Sequence, residues 1–186
     1  MANTAAGVNG INLIGPASAN LGLGHSTRQF AKALLAKGYP VAIFDLDPGQ
    51  GRGGFDLSLK DHFASSVEDL PHDINVWIQG AMELPSAALQ LCRNRILASK
   101  FNAAFVWWEL PAIPSNWAPC GSAFDALIAG SEYVQACLTT QVPSVPTLLA
   151  KQPIDMPANL AADREKFGLP ANSILFCAGF EPQSGI

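Results

Sequence analysis

Six short runs of β-branched, aromatic or small apolar residues recur along the chain: Ile11 to Ile14, Val41 to Phe44, Ile74 to Ile78, Ala103 to Trp107, Ala126 to Ala129 and Thr147 to Leu149. Segments of helical periodicity lie between several of them. Such alternation predicts a parallel sheet covered by helices, because each element must bury one apolar face against the other kind. The first helix is the best marked: Thr27, Phe30, Ala31, Leu34 and Leu35 fall at helical spacing, Arg28 and Lys32 share the opposite face, and Gly38 ends it. A second helix is predicted over Ser86 to Ser99 with Leu89, Cys92 and Ile96 inward. A third is predicted to start at a Ser131 cap and to bury Val134, Cys137 and Leu138.

Composition narrows the class. Of 186 residues, 49% are hydrophobic and 14% charged, against a usual charged share of about 25%, which excludes a disordered chain or a coiled coil. The net charge of -4, with 11 basic residues scattered singly, offers no stripe to follow a phosphodiester backbone and argues against nucleic acid as a partner. No Lys or Arg precedes Arg28, so the charged start of a secretory signal is missing. Apolar runs break well before the roughly 18 residues of a spanning helix. Cys92, Cys120, Cys137 and Cys177 stand far apart, and are expected to be reduced, mostly buried thiols of a cytoplasmic protein.

Between the second and third strands, Pro48 to Pro71 carries Gly49, Gly51, Gly53 and Gly54, and a mobile loop or lid is expected. The expected organisation is a domain over residues 1–150, a linker with a short helix over 151–172, and a strand opening a second domain over 173–186. The short helix is expected through Ala161 to Phe167 and the strand at Ile174 to Cys177. A cut at Ile186 is expected to leave that second domain incomplete.

Candidate chemistry clusters where parallel strands end. The loop from Gly15 to Ser26 holds Gly22, Gly24 and His25 and feeds straight into the first helix. Glycines and free amides there suit a phosphate or carboxylate, and a tight strand-to-helix turn without a ligand suits the same residues. His25 would bond a sugar hydroxyl or phosphate, or face solvent. Asp45, about 20 residues past the glycines, stands where a nicotinamide-cofactor fold holds its ribose, but Thr27 occupies the third small position, which demotes an oxidoreductase. Asp45-Leu46-Asp47 has the form of a metal-nucleotide motif that also occurs often by chance, and His62 and His72 are read as solvated.

Val106-Trp107-Trp108-Glu109-Leu110-Pro111, followed by Trp117, combines a carboxylate with indoles, the composition of a carbohydrate site. Trp107 is expected in the core, Trp108 and Trp117 at the surface. Ser131 is read as a helix cap, whereas Glu132 either complements the helix dipole or faces the same rim.

Asn20-Leu21-Gly22-Leu23-Gly24-His25-Ser26-Thr27-Arg28, Trp107 to Pro111 with Trp117, and Gly130-Ser131-Glu132-Tyr133-Val134 together resemble the amino-terminal half of GT-B glycosyltransferases of the group 1 (family four) type. The resemblance implies an α/β, Rossmann-like, doubly wound and mostly parallel sheet with helices on both faces. It implies sugar transfer from a nucleotide sugar to a glycan, lipid-linked or small-molecule acceptor, retaining and metal-independent, with no cofactor beyond the donor substrate.

Glu109 is then the catalytic candidate, with Gly22, Gly24, His25, Trp108, Trp117 and Glu132 binding acceptor or phosphate. Family members often carry Glu where this chain has His25, and others carry His-Glu-Pro near Trp108-Glu109-Leu110. Phe180 to Ser184 resembles the opening of the donor domain, whose Arg and Lys do not follow, so the chain by itself is expected to be inert. An exposed interdomain face would favour self-association. Many relatives sit on bilayers, but Arg93, Arg95 and Lys100 make no basic amphipathic stripe. The rival class is a carbohydrate- or nucleotide-binding module without catalysis.

Overall fold

The computed structural model describes residues 10–46, 55–155 and 163–178. Asp47, Gly49, Gly51, Gly53, Gly54 and the Phe180 to Ser184 motif lie outside them. The chain divides into two compact units, Met1–Asp155 and Met156–Ile186.

The first unit is one parallel sheet of six strands: β1 (Ile11–Gly15), β2 (Val41–Asp45), β3 (Ile74–Gly80), β4 (Phe101–Trp107), β5 (Ala126–Ala129) and β6 (Thr147–Leu149). Their order across the sheet is β2-β1-β3-β4-β5-β6. The chain therefore winds one way from β1 to β2 and the other way from β3 onward. Right-handed crossovers put the connections of the two halves on opposite faces, the doubly wound Rossmann-like arrangement.

Helix α1 (Gly22–Ala36) covers one face, where Ala31, Phe30 and Leu34 pack on Leu13, Val41 and Ile43. It stops because Gly38 takes a φ of 81°, a left-handed turn that closes with its N–H on Leu35 O. Arg28 does not share a solvated face with Lys32. It is buried, with Nη1 donating to Ala17 O at 2.7 Å and Ala19 O at 3.0 Å, and Nε paired with Asp56 at 3.0 Å. The loop before α1 turns two carbonyls toward the helix, and Arg28 satisfies both.

The opposite face is covered by α2 (Leu84–Arg93), α3 (Arg95–Ala98) and α4 (Glu132–Gln141), which bury Leu84, Leu91, Leu97, Val134 and Leu138 against Ile14, Trp77, Ala104 and Leu127. The single helix expected over Ser86 to Ser99 is two. Asn94 leaves helical geometry at φ -108°, ψ 106°, and its side chain caps α3 by accepting from Ile96 and Leu97 N–H. The inward stripe is Leu84, Ala87, Ala88 and Leu91 rather than Leu89, Cys92 and Ile96, which are exposed. Pro85 starts the helix earlier than expected, and the break at Asn94 resets its phase.

Polar groups also cross the sheet interior. Asn12, Asn75 and Asn102 are in register on β1, β3 and β4, all buried, and their carboxamides bond in series at 2.8 and 2.9 Å. Trp77 Nε1 donates to Asn102 Oδ1 at 3.0 Å, and the outer donors end on His72, Leu97 and Lys100 carbonyls.

Residues 55–71 are not a free lid. They carry 3-10 turns at Lys60–His62 and Val67–Asp69, bridge Phe63 to Ile43, and bury Leu59 and Leu70. The first unit also runs past the expected boundary at 150, because Gln152 Oε1 accepts from Ser26 Oγ at 2.7 Å and Asp155 N–H donates to Gln29 Oε1 at 2.9 Å.

In the second unit, residues 164–168 form turns where the helix was expected through Phe167, and Ile174 to Cys177 form no strand. A strand exists only as part of a hydrogen-bonded ladder, and no described residue pairs with these.

Candidate functional site

Ligands of open parallel sheets sit beyond the carboxyl ends of the strands, at the point where strand order reverses. Here that point lies between β1 and β3, and a cavity of about 360 Å³ occupies it. Its walls come from the β1–α1 loop (Pro16), the cap and first turn of α1 (Leu21, Leu23), the residue after β2 (Leu46), the end of β3 (Trp77, Gln79), Glu83 just before α2, and Ser86, Ala87 and Gln90 on α2.

Gln79 is the informative wall. It is 2% exposed, and neither its Oε1 nor its Nε2 has a hydrogen-bond partner. A buried amide left unpaired costs about 1–3 kcal/mol, so a native chain keeps one where something else satisfies it. Its carboxamide offers one acceptor and two donors, matching hydroxyl groups that both donate and accept. Glu83 closes the next edge: its Oε2 lies over Gly80, where a Cβ would come within 2.6 Å of it.

The start of α1 also faces this edge of the sheet. Leu21 is its N-cap in extended geometry and supplies no side-chain bond, and the first turn holds no acidic residue. The amides at Gly22 to Gly24 are thus uncapped, at the positive end of a 15-residue helix. The two glycines differ. A Cβ at Gly24 would collide with the Ala19 and Pro16 carbonyls, so Gly24 lets the loop fold down on the helix. A Cβ at Gly22 meets nothing within 4 Å, so that position is open to a guest. The close helix–strand approach that a third helix glycine would give is instead provided from the strand, since a Cβ on Gly15 would lie 2.6 Å from Thr27 Oγ1.

The end of β4 reaches the same helix. Trp107 Nε1 donates to Ser26 Oγ at 3.1 Å, and Phe105 stacks edge-on against Phe30 with ring centroids 4.8 Å apart. The glycine loop and the Trp-Trp-Glu-Leu-Pro segment are therefore neighbours at one rim. Trp107 is half-buried, not a core residue. Trp108 and Trp117 are half-buried as well: they meet edge to face at 6.0 Å, pack on the core, and Trp108 Nε1 donates to Ala112 O at 3.1 Å. They form a supported pair with one exposed side rather than two free platforms.

Glu109 is exposed, two residues past Trp107. His25 is exposed, with Nε2 3.4 Å from Gln29 Nε2. Glu132 is exposed at the first position of α4, where Ser131 Oγ accepts from Val134 N–H at 3.2 Å as the expected cap. None of Gly22, Gly24, His25, Trp108, Glu109, Trp117 and Glu132 lines the switch-point cavity.

The histidines in the polar region, read as solvated, are half-buried. His62 Nδ1 lies 3.3 Å from Val41 O, and burial, aided by Lys100, holds the His72 imidazole below its usual range. Among the cysteines only Cys137 is buried, and burial pushes its thiol up and away from reactivity. Cys120 is half-buried and Cys92 and Cys177 are exposed. Among the described residues no His, Cys, Asp and Glu cluster has the form of a metal site, and no helix is long and apolar enough to cross a membrane.

Sequence reasoning missed Gln79 and Glu83. The available signal was a strand, Ile74 to Gly80, that ends in Gln-Gly, a polar side chain at the last buried position before the rim. No protein-family model and no curated protein matches this chain.

Proposed function

We propose that the chain is the acceptor-side, Rossmann-like half of a GT-B-type glycosyltransferase, which moves a sugar from a nucleotide donor to a hydroxylated acceptor. The observation that carries the reading is the unpaired Gln79 carboxamide in the switch-point cavity, whose donors and acceptor complement sugar or polyol hydroxyls. The Trp107–Ser26 hydrogen bond supports it by bringing the Glu109 segment beside the uncapped start of α1.

In this reading an acceptor hydroxyl is oriented by Gln79 and Glu83, and Trp108 with Trp117 gives an apolar side for sugar C–H surfaces. Glu109 stabilises the charge that develops as the acceptor oxygen attacks. The amides of Gly22 and Leu23 favour a donor phosphate, and the second domain supplies the rest of the donor site.

The test has two arms. Saturation-transfer NMR of this chain with mono- and disaccharides should show contact that Gln79→Leu abolishes, followed independently by the Trp77 indole N–H signal. The longest natural reading frame carrying the chain should release nucleoside diphosphate from a nucleotide sugar only when acceptor is present. Saccharide contact without any release would make the chain a carbohydrate-binding module. No contact by wild-type chain would overturn the assignment of the cavity.

A further inference from the structure

A second cavity, of about 570 Å³, opens at the end of β2 and shares only the Leu46 wall with the first. It contains two buried polar atoms without partners. Asp45 is 9% exposed; its Oδ1 accepts a long bond of 3.3 Å from Ser18 N–H, and its Oδ2 has none. Ser18 Oγ, also buried, is unpaired too.

The other walls are mainly apolar, with Phe44, Phe55 and Phe63 beside Leu46, Leu57 and Ala64, and Ser65 is the one further polar residue among the described walls. They are held by backbone. Phe55 bridges to Ala19, Asp56 N–H donates to Ser18 O at 3.0 Å, Phe63 bridges to Ile43, and Ala64 N–H donates to Ile43 O at 2.8 Å. At the mouth, Phe55 and Leu57 are each 53% exposed, an apolar rim around a carboxylate.

Electrostatics selects the guest. Among the described residues, no Lys or Arg lines the cavity. Arg28, in the helix behind the loop, is committed to Asp56 and to the Ala17 and Ala19 carbonyls. A buried carboxylate oxygen without a cation or donor is costly, and phenyl faces are electronegative as well. Phosphate is repelled by both. A protonated amine answers both, and its N–H groups reach for Asp45 Oδ2 and Ser18 Oγ while its carbon body fills the aromatic walls.

We propose that this pocket binds a primary or secondary ammonium group carried on an aromatic or aliphatic body, with Asp45 as its counter-ion. The pocket is separate from the hydroxyl-binding cavity at Gln79 and does not depend on the transferase reading.

Titration calorimetry and amide chemical shifts with benzylammonium test it, with benzyl alcohol as the uncharged control and adenosine as a vicinal-diol control. Benzylammonium should bind at least about tenfold more tightly than either control, as a charge-assisted bond to a buried acceptor requires. Asp45→Asn should weaken it by at least the same factor. Should Asp45→Asn fail to fold, Phe55→Ala at the exposed mouth should still weaken it severalfold. Gln79→Leu should leave it unchanged.

Equal binding of benzyl alcohol would overturn the proposal, as would benzylammonium affinity indifferent to Asp45→Asn. Preference for adenosine would identify a ribose site instead, and no binding of any probe would leave a pocket filled by water. Each of these results rejects the ammonium assignment.

Discussion

Asn12 and Asn75 face each other across β1 and β3 in register, Asn12 Nδ2 donating to Asn75 Oδ1 at 2.8 Å on the face that α2, α3 and α4 cover. Asn75 passes the connection on to Asn102, so it is the middle member of a series whose ends are all satisfied. Asn75→Ala should lower stability by about 2–4 kcal/mol, more than a surface deletion, because it orphans a donor on Asn12 as well as opening space. Urea denaturation measures the change. A loss below about 1 kcal/mol would mean that the series contributes little.

Gln79→Leu should behave in the opposite sense. Its amide has no protein partner, so an apolar side chain of similar volume should hold stability or raise it by about 1–2 kcal/mol while abolishing saccharide contact. Thermal denaturation paired with the NMR titration checks both halves. Destabilisation together with unchanged contact would mean that the amide is structural.

The two glycines at the start of α1 should separate cleanly. Gly24→Ala should cost more than about 2 kcal/mol, because the new Cβ meets fixed backbone carbonyls. Gly22→Ala should be neutral or stabilising by up to about 1 kcal/mol, since it replaces glycine by a better helix former in open space. If a guest approaches the amide of Gly22, the same variant binds it less well without any loss of stability.

Much of this was legible from the order of residues. All six strands are where apolar runs place them, and α4 buries Val134, Cys137 and Leu138 as its spacing requires. Periodicity reports which face is apolar, and it succeeds where one face alone is buried. It failed at Arg28, whose burial follows from carbonyls that only the folded loop presents. It failed at Asn94 too, because a cap inside an apolar stripe looks like an ordinary helical position. The asparagine series was invisible for a related reason: each Asn has its partner 63 or 27 residues away, and no local pattern records it. In the candidate site, the rim residues were readable as strand-end chemistry, whereas the cavity was not, since Gln79 is distinguished only by what it fails to touch.

Stability should depend on pH through His72. Burial, with Lys100 adding repulsion and Asp73 opposing it, lowers its proton affinity in the folded state. The unfolded chain then binds the extra proton, so this contribution is complete above about pH 6.5 and is lost as pH falls below it. The Tm should drop between pH 7.5 and 5.5, and His72→Gln should flatten that drop. A profile unchanged by the substitution would assign the dependence elsewhere.

Glu109→Gln in the natural reading frame should cut sugar transfer by at least about tenfold with the fold intact, since only the charge is removed from an exposed side chain. Comparing kcat with KM separates charge stabilisation, which moves kcat, from acceptor orientation alone, which moves KM. Unchanged kinetics would remove Glu109 from the reaction.

The bonds from Gln152 and Asp155 to Ser26 and Gln29 have a mechanical meaning. Tension on the backbone after Asp155 is delivered sideways into the second turn of α1 before it can peel β6, a three-residue border strand that would otherwise carry the load alone. Because Ser26 also accepts the Trp107 indole, a pull at that exit is felt at the far end of β4 as well.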